Sequence, residues 1–439
     1  MVTPTELRAW VVSAEMGYGH LRAVFPLRRF AEGGILIAGR NDGSTEEERV
    51  LWRRLLAGYS MFSRARGVPV VGKHLFGILD SLMRIPSRYP MRDLSSSTLQ
   101  VELLASSIRK GLCGGILARI EGKHLPLVTS FYAPAIAADM AGHDRVYCII
   151  CDADLNRVWV AKQPWESRIF YFAPCGRAAQ RLKAYGVPEE RIYLTGFPLP
   201  EELLGEDLSV LKRDLGERLV HLDPRGKFRN FHGKSVDYFL GPASAGVATY
   251  RPLTLTYAVG GAGAQKEFGP RIARSLRKRL ASGQIRLNLV SGIRPEVEDY
   301  FRSHVMEIPD AAPQIQVVGA TTLEEYLERF TALMRETDIL WTKPSELSFY
   351  SALGIPIIMS PTIGSQEKFN RRWLHEIQAG IRQENPDYVD QWLFDALDDG
   401  LLAEAAWSGF LKARKLGTRK ILEVITTGTC HRGDSPLER

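Results

Sequence analysis

Short apolar runs alternate with longer amphipathic stretches along most of the chain. Six runs of strand length lie in the first half, and they are AWVVS, ILIA, LPLVTS, RVYCIIC, RIFYFA and RIYLTG. Five more lie in the second half, and they are TLTYAV, IRLNLVS, QIQVVG, DILWT and PIIMS. Strands that alternate with helices are typical of parallel sheets covered by helices on both faces. The pattern therefore predicts an α/β fold with two open parallel-sheet domains.

The spacing of these runs predicts the domain boundaries. The first series occupies residues 1–200 and the second occupies residues 253–400, and each length suits one domain. Between them, residues 201–252 are expected to form a linker followed by a helical and irregular insertion. Residues 401–425 predict a C-terminal helix that packs back on the first domain, and residues 426–439 are expected to form a tail.

Composition narrows the class of protein. Apolar residues make up 45% of the 439 residues and charged residues 24%, which suits an ordinary globular protein with a buried core. No apolar run approaches the roughly 20 residues that a membrane-spanning helix needs. Five cysteines without an N-x-[ST] glycosylation acceptor favour a reducing compartment. We therefore expect a cytoplasmic protein.

The charge balance favours an anionic partner. The chain has 57 basic and 50 acidic residues, a formal net charge of +7, which suits nucleotide phosphates or an acidic membrane surface. The densest basic segment, residues 271–280, places apolar residues four apart and predicts a helix with its bases in solvent. Nucleic acid is therefore not the expected partner.

A glycine-containing loop follows the first predicted strand. In AEMGYGHLRA, the residues of interest are Glu15, Gly17, Gly19, His20 and Arg22. The histidine lies at or near the N-terminus of a predicted helix, where the helix dipole disfavours imidazolium and so lowers the pKa of the ring. A neutral imidazole is suited to general-base catalysis. A purely structural, hydrogen-bonding histidine is the alternative.

A second strand, glycine loop and helix open the second series. In TLTYAVGGAGAQKEF, Gly260, Gly261 and Gly263 permit close approach of the backbone to an anion. Together with the helix N-terminus they predict a site for a diphosphate. Lys266 occupies the place where the dinucleotide fingerprint requires its last glycine, and no P-loop motif is present. A tight turn without a ligand is the alternative.

Two aspartates follow the strand RVYCIIC. Asp152 and Asp154 are spaced like carboxylates that hold a divalent ion, but short D-x-D matches often arise by chance. We expect one of them, Asp152, to serve the site rather than a metal pair. Cys148 and Cys151 point to opposite faces of a strand and no second pair completes a zinc site, so we expect packed thiols.

The richest polar cluster follows the last two predicted strands. Its members are Thr342, the last residue of DILWT, with Lys343, Ser345 and Glu346 after it, and Gln366, Glu367 and Asn370 after PIIMS. Loops at the carboxyl ends of adjacent parallel strands line a ligand crevice. The lysine suits a phosphate, Glu346 suits ribose or sugar hydroxyls, and the last three residues suit a sugar. Helix capping is the alternative for Ser345 and Glu346.

These motifs, in this order, resemble the two-domain glycosyltransferases of the GT-B type. The motifs are GYGH, CIICDADLNRVW, YFAPCGRAAQRLKAYGVPEERIYLTGFPLP, VGGAGAQ, TKPSEL and IPIIMSPTIGSQEKFN. The branch they resemble contains monogalactosyldiacylglycerol synthase, processive diacylglycerol glucosyltransferases and the N-acetylglucosaminyltransferase of lipid-linked cell-wall precursors. The resemblance implies two Rossmann-like parallel-sheet domains that face each other across a cleft. The first would bind the acceptor and the second a nucleotide-sugar, usually UDP-linked.

The resemblance also implies roles for individual residues. His20 matches the histidine proposed as base or acceptor-positioning group, and Gly260 to Gln265 match the donor diphosphate loop. Residues 342–346 and 364–370 match the donor-sugar and ribose loops. Helix dipoles and backbone amides carry the charge in such enzymes, so no metal or other cofactor is expected.

The chain departs from the resemblance in two places, and one of them is the insertion from Leu211 to Pro252, which has no recognised counterpart. Phe349 lies where the relatives carry a ribose-binding glutamate, and Glu346 is the candidate replacement. Because the most similar enzymes act on lipids, the implied acceptor is a lipid, with peripheral contact to an anionic membrane at its inner face.

The sequence therefore predicts a metal-independent hexosyltransferase. Two alternatives stay open: a sugar-nucleotide 2-epimerase, which shares this architecture and needs no acceptor, and a non-catalytic protein that binds a nucleotide-sugar.

Overall fold

The computed structural model divides the chain into two α/β units. It describes residues 7–40, 44–53, 85–241, 251–261, 263–431, 433 and 435–438. The first unit is Met1–Pro198 with Ile363–Asn370 and Leu416–Arg439, and the second is Leu199–Thr362 with Arg371–Lys415.

The first unit is built on a six-stranded parallel sheet in the order β2-β1-β3-β4-β5-β6. Its strands are β1 (Trp10–Ala14), β2 (Leu36–Ala38), β3 (Leu127–Thr129), β4 (Val146–Ile149), β5 (Phe170–Ala173) and β6 (Ile192–Leu194). Strands β1, β3 and β4 are buried throughout, as expected for a sheet covered on both faces. The strand order reverses beside β1, so the switch point of this sheet lies between β1 and β3.

The second unit has its own six-stranded parallel sheet, in the order β12-β11-β10-β7-β8-β9. Its strands are β7 (Leu253–Ala258), β8 (Ile285–Gly292), β9 (Ile315–Gly319), β10 (Ile339–Thr342), β11 (Ile357–Met359) and β12 (Gly380–Arg382). Counted from β7, this is the 3-2-1-4-5-6 order of dinucleotide-binding Rossmann domains. Its switch point lies between β7 and β10.

Helices connect the strands in both units. Those bounded by described residues are α1 (Tyr18–Val24), α2 (Leu99–Arg109), α3 (Gly114–Ile120), α4 (Tyr132–Met140), α5 (Gly176–Ala184), α6 (Ser209–Leu222), α7 (Lys227–Leu240), α8 (Phe268–Ser275), α9 (Arg277–Ala281), α10 (Pro295–Met306), α11 (Leu323–Glu336), α12 (Ser365–Glu376), α13 (Val389–Asp398), α14 (Leu401–Lys412) and α15 (Gly417–Thr427). None of the helices in the described part of the chain is long and apolar enough to cross a membrane.

The predicted α/β fold class, with two Rossmann-like parallel-sheet domains, is confirmed. All the predicted strands are present, and the structure adds β12 at the edge of the second sheet. The predicted thiol packing is also confirmed, because Cys148 and Cys151 are buried and form no disulfide. Burial raises the pKa of the Cys148 thiol, which therefore stays protonated.

Two segments differ in detail from their sequence patterns. Residues 401–425, which predict one helix, form α14 and α15 with a break after Lys412. α15 belongs to the first unit, where Arg145 donates to the carbonyl of Ile425 at 2.7 Å. The insertion predicted within residues 201–252 carries α6 and α7, and its residues 242–250 lie outside the described residues.

The insertion helix α6 is tied into the second unit by a buried arginine. Arg218 is 1% exposed, and its Nε and Nη1 atoms donate to the carbonyls of Thr337 and Leu353 at 2.8 and 2.9 Å. Thr337 directly follows α11, and Leu353 lies in the segment that leads to β11. One guanidinium therefore satisfies two buried backbone acceptors. Burial lowers the pKa of Arg218 to about 10, which leaves the side chain charged at neutral pH.

Candidate functional site

The first candidate site lies at the switch point of the first unit. Gly17 precedes α1 with φ 92° and ψ −176°, a conformation that other residues adopt only under strain. This glycine lets the chain turn from β1 directly into α1. The short turn makes His20 the third residue of the helix, as the sequence predicts, and Gly19 the second.

His20 is hydrogen-bonded across the switch point. Its Nδ1 atom lies 2.7 Å from the carbonyl oxygen of Ser130, which directly follows β3. A carbonyl can only accept, so Nδ1 carries the proton. When the ring is neutral, the lone pair is therefore on Nε2. The backbone of β3 thus fixes the tautomer and the orientation that a general base needs.

Aromatic rings surround the imidazole of His20. Phe131 meets it edge-on with 5.1 Å between ring centroids, and Trp159 lies at 6.0 Å with an interplanar angle of 32°. Tyr132 contacts both of these rings, at 4.2 and 5.3 Å. The Sγ atom of Cys151, just after β4, lies 3.6 Å from Nδ1. The ring is therefore held by packing as well as by its hydrogen bond.

The other residues predicted for the acceptor loop have separate positions. Glu15 pairs with Arg40 at 2.9 Å, and both side chains are more than half exposed, so this pair contributes little to stability. Arg22 lies on α1 and is only 3% exposed. The structure thus brings Gly17 and His20 to the switch point and places Glu15 in a surface ion pair.

The two aspartates after β4 have different surroundings. Asp154 is 1% exposed and accepts from Nε and Nη2 of Arg181 at 2.7 and 3.0 Å. It is therefore half of a buried ion pair, and removing one partner of such a pair typically costs about 3–5 kcal/mol. Asp152 is half-buried, and its Oδ1 accepts from the Asn370 amide at 2.7 Å.

The two carboxylates of the D-x-D motif therefore have different partners. Asp154 is committed to an arginine, whereas Asp152 accepts from an amide. Within the described ranges, no three His, Cys, Asp or Glu side chains form a group that could hold a metal ion.

The second candidate site lies at the switch point of the second unit, in the loop between β7 and α8. A tight turn closes the loop, with the Gly263 N–H donating to the carbonyl of Gly260 at 2.8 Å. Gly263 and Gln265 both have positive φ, 70° and 68°. Tyr257 donates its hydroxyl to the Gln265 carbonyl at 2.6 Å. Burial raises the pKa of Tyr257, so this hydroxyl remains a donor.

A lysine from the neighbouring strand packs against this loop. A side-chain carbon added at Gly260 would lie 2.6 Å from Cε of Lys343, the residue that follows β10. The missing side chain is therefore what allows the lysine to approach the loop. Gln265 fixes the other end of the loop, because its Nε2 donates to the carbonyl of Pro361 after β11 at 2.8 Å.

An arginine that the sequence motifs do not reveal also contacts the loop. Arg294 follows β8, and its Nε donates to the carbonyl of Gly261. Lys343 and Arg294 thus bring two cations to a glycine loop at the carboxyl edge of β7, β8 and β10. Backbone amides with adjacent cations suit a phosphate group. The only sequence signal for Arg294 is its place just after a strand.

The other predicted site residues at the end of β10 and just after it are Thr342, Ser345 and Glu346. Thr342 is 1% exposed, and its hydroxyl donates to the carbonyl of Ala258, which joins β10 to β7. Ser345 precedes a 3-10 helix, Glu346–Leu353, but makes no side-chain capping hydrogen bond. The alternative interpretation of Ser345 as a side-chain helix cap is therefore wrong. Glu346 is half-buried in the first turn of that helix.

Phe349, at the position where the resemblance implies a glutamate, belongs to the core of the second unit. It is 3% exposed and packs on Trp373 with 4.8 Å between ring centroids. Its side chain therefore serves packing.

The polar residues after β11 lie on the start of α12, in the segment that belongs to the first unit. Glu367 accepts from the backbone N–H groups of Ile363 and Gly364, as the acid of a capping box does. Asn370 is fully buried and contacts Asp152 and Ala153. Gln366, which directly precedes Glu367 in the sequence, is half-buried. The segment that carries Glu367 and Asn370 thus belongs to the first unit, where Asn370 contacts the loop after β4.

Comparison with known proteins adds a likeness of fold at low similarity. No protein-family model matches the chain, and no curated protein matches it in sequence. Among solved structures, the chain is similar to a putative UDP-N-acetylglucosamine 2-epimerase from Listeria monocytogenes, with 12% identity, 96% of each chain covered and a TM-score of 0.49.

Two further solved structures have the same level of similarity. MurG from Acinetobacter baumannii is 13% identical, with 96% of this chain and 99% of that chain covered and a TM-score of 0.47. The spinosyn rhamnosyltransferase SpnG is 12% identical, with 96% and 99% covered and a TM-score of 0.42. At these values the likeness carries no argument about activity, which must come from the residues themselves.

Proposed function

We propose that the protein is a metal-independent glycosyltransferase that moves a hexose from a nucleotide-sugar, UDP-linked, to an acceptor hydroxyl. The observation that carries the proposal is the glycine loop at the β7/β10 switch point with Lys343 and Arg294 against it. In open parallel sheets of this strand order, nucleotides bind at the carboxyl ends of the strands beside the switch point.

The donor is assigned to the second unit. Its diphosphate would accept from the backbone N–H groups of Gly260 and Gly261, in the turn that the Gly263 N–H closes, with the two cations neutralising its charge. These groups stabilise the negative charge that develops on the departing diphosphate. Glu346 is the candidate for the ribose hydroxyls, since Phe349 is committed to the core.

The acceptor is assigned to the first unit. His20 would take the proton of the acceptor hydroxyl on Nε2, because Nδ1 already carries a proton for Ser130. The acceptor oxygen forms a bond to the anomeric carbon as the bond from that carbon to the diphosphate oxygen breaks. Asp152, half-buried just after β4, is assigned to the same site as a carboxylate.

The acceptor is proposed to be a lipid presented at a membrane. The support is the net charge of +7, which favours docking on an anionic leaflet. The protein would then work in the cytoplasm and at the inner face of the membrane.

The carboxylates favour transfer over epimerisation. Epimerisation without an acceptor needs several carboxylates at the reacting sugar, but Glu15 pairs with Arg40, and Glu367 caps α12. Asp154 pairs with Arg181.

One experiment distinguishes a glycosyltransferase from an epimerase and from a non-catalytic binding protein. Purified protein is incubated with UDP-glucose, UDP-galactose or UDP-N-acetylglucosamine, with and without a lipid extract, while UDP release and the sugar product are followed. Transfer predicts UDP release that depends on the extract. A new sugar-nucleotide isomer without extract would indicate an epimerase, and binding without any conversion would indicate a non-catalytic protein.

A further inference from the structure

We infer that Asn370 is a positioning residue that fixes the orientation and ionisation of the Asp152 carboxylate, rather than a ligand of the donor sugar. The inference rests on the proposed role of Asp152. It starts from one side-chain amide that makes two hydrogen bonds to adjacent residues just after β4.

The two hydrogen bonds define which way the amide faces. Oδ1 of Asn370 accepts from the backbone N–H of Ala153 at 2.7 Å, and Nδ2 donates to Oδ1 of Asp152 at 2.7 Å. Exchanging the two amide atoms would set an oxygen against a carboxylate and an NH₂ group against an N–H. The orientation of the amide is therefore fixed by its partners.

Few other side chains satisfy both partners. An aspartate at position 370 could still accept from Ala153, but it would place a second carboxylate against Asp152. An alanine would remove the donor, and a glutamine would be one carbon too long for the same two distances. Asn370 is also fully buried, whereas Asp152 is half-buried, so the amide meets the carboxylate from the protein interior.

The place of the contact connects it to the proposed catalytic site. Asp152 directly follows Cys151, whose Sγ lies 3.6 Å from the Nδ1 atom of His20. On the other side, Asp154 is held by Arg181. The charged and titratable groups on and around this loop include His20, Cys151, the Asp154–Arg181 pair, Cys175 before α5 and Arg177 on α5, and Asn370 reaches Asp152 from α12.

A hydrogen-bond donor at 2.7 Å favours the charged form of a carboxylate. The hydrogen bond from Asn370 therefore favours the ionised form of Asp152 and restricts its orientation. The carboxylate so oriented belongs to the residue after Cys151, which contacts His20.

The test measures the ionisation of Asp152 directly. The full-length protein is labelled with ¹³C at the aspartate carboxyls, and Asp152 is identified by the signal lost in Asp152→Asn. We expect Asn370→Asp to raise the Asp152 pKa by at least about one unit through like-charge repulsion, and Asn370→Ala to raise it by less. Arg372→Ala is the control, because this residue is on the same helix and pairs with Glu376 at the surface.

A double variant separates positioning from structural support. Asp152→Asn combined with Asn370→Asp restores an amide–carboxylate pair with the two groups exchanged. We expect it to regain the thermal stability that Asn370→Asp loses, while turnover stays as low as in Asp152→Asn alone.

The outcomes distinguish this inference from the proposed function. An unchanged Asp152 titration in folded Asn370→Asp or Asn370→Ala overturns the inference, whatever the activity. If Asn370→Asp does not fold, the alanine variant alone decides the matter. Absence of sugar transfer by the wild-type protein would contradict the proposed function, and the titration would still decide the role of Asn370.

Discussion

The two glycine loops occupy the same topological place and differ in their chemistry. Each follows the first strand of its sheet and lies beside the switch point. The loop after β1 is short and begins a helix at once, so a side chain, His20, reaches the carbonyl of the neighbouring strand. The loop after β7 is longer and rich in glycine, so it presents backbone, and its cations come from other strands.

This difference underlies the proposed division of roles, with proton transfer in one unit and anion binding in the other. A short turn fixes one side chain relative to the sheet, which suits a base that must hold its tautomer. A glycine-rich loop fixes several backbone groups at once, which suits a multiply charged diphosphate. The predictions below test this division of roles.

The largest effect is expected for His20→Ala. Loss of the general base should lower kcat by about 10²- to 10⁴-fold, measured as acceptor-dependent UDP release. The dissociation constant for UDP should stay unchanged, because the donor is assigned to the other unit. His124→Ala, an exposed histidine of the same unit, is the control. Unchanged turnover in His20→Ala would remove the catalytic role.

A smaller effect is expected for Lys343→Met. Hydrogen bonds to charged groups contribute about 1.5–3 kcal/mol, so the affinity for UDP should fall by about 10- to 100-fold in calorimetry. Lys278→Met removes an exposed lysine of the same unit and should leave UDP binding unchanged. Equal affinities in Lys343→Met and the wild type would show that this lysine does not meet the phosphates.

The smallest effect is expected for the glycines of the first loop. Gly17→Ala forces a side chain into a positive-φ conformation and should lower the free energy of unfolding by about 1–3 kcal/mol in urea denaturation. Gly19→Ala is the matched control, since Gly19 is helical and alanine has the higher helix propensity. If both variants lose the same stability, the turn at Gly17 does not need glycine.

The sequence predicts strands better where both faces of the sheet are buried. β4 and β11 have continuous apolar character and are buried throughout, as strands covered on both faces are. The sequence pattern does not predict β12, because Gly380–Arg382 is short, contains one apolar residue and lies at the sheet edge. Edge strands carry little of the pattern on which such predictions depend.

The candidate sites show a similar limit. Strand ends indicate where loops gather, which led to His20 and the Gly260 loop. They do not reveal which of two aspartates is neutralised by an arginine, because Arg181 reaches Asp154 from α5. They also do not reveal that Asn370 reaches Asp152, since these residues are far apart in the chain and only the fold brings them together.

Calorimetric titration of the wild-type protein with UDP and with uridine tests the central claim most directly. The two ligands differ only by the diphosphate, which the account assigns to the loop at Gly260, Lys343 and Arg294. We predict that UDP binds at least about tenfold more tightly than uridine, and that the difference shrinks as salt is added. Equal affinities for the two ligands, or no binding of UDP, would contradict the account.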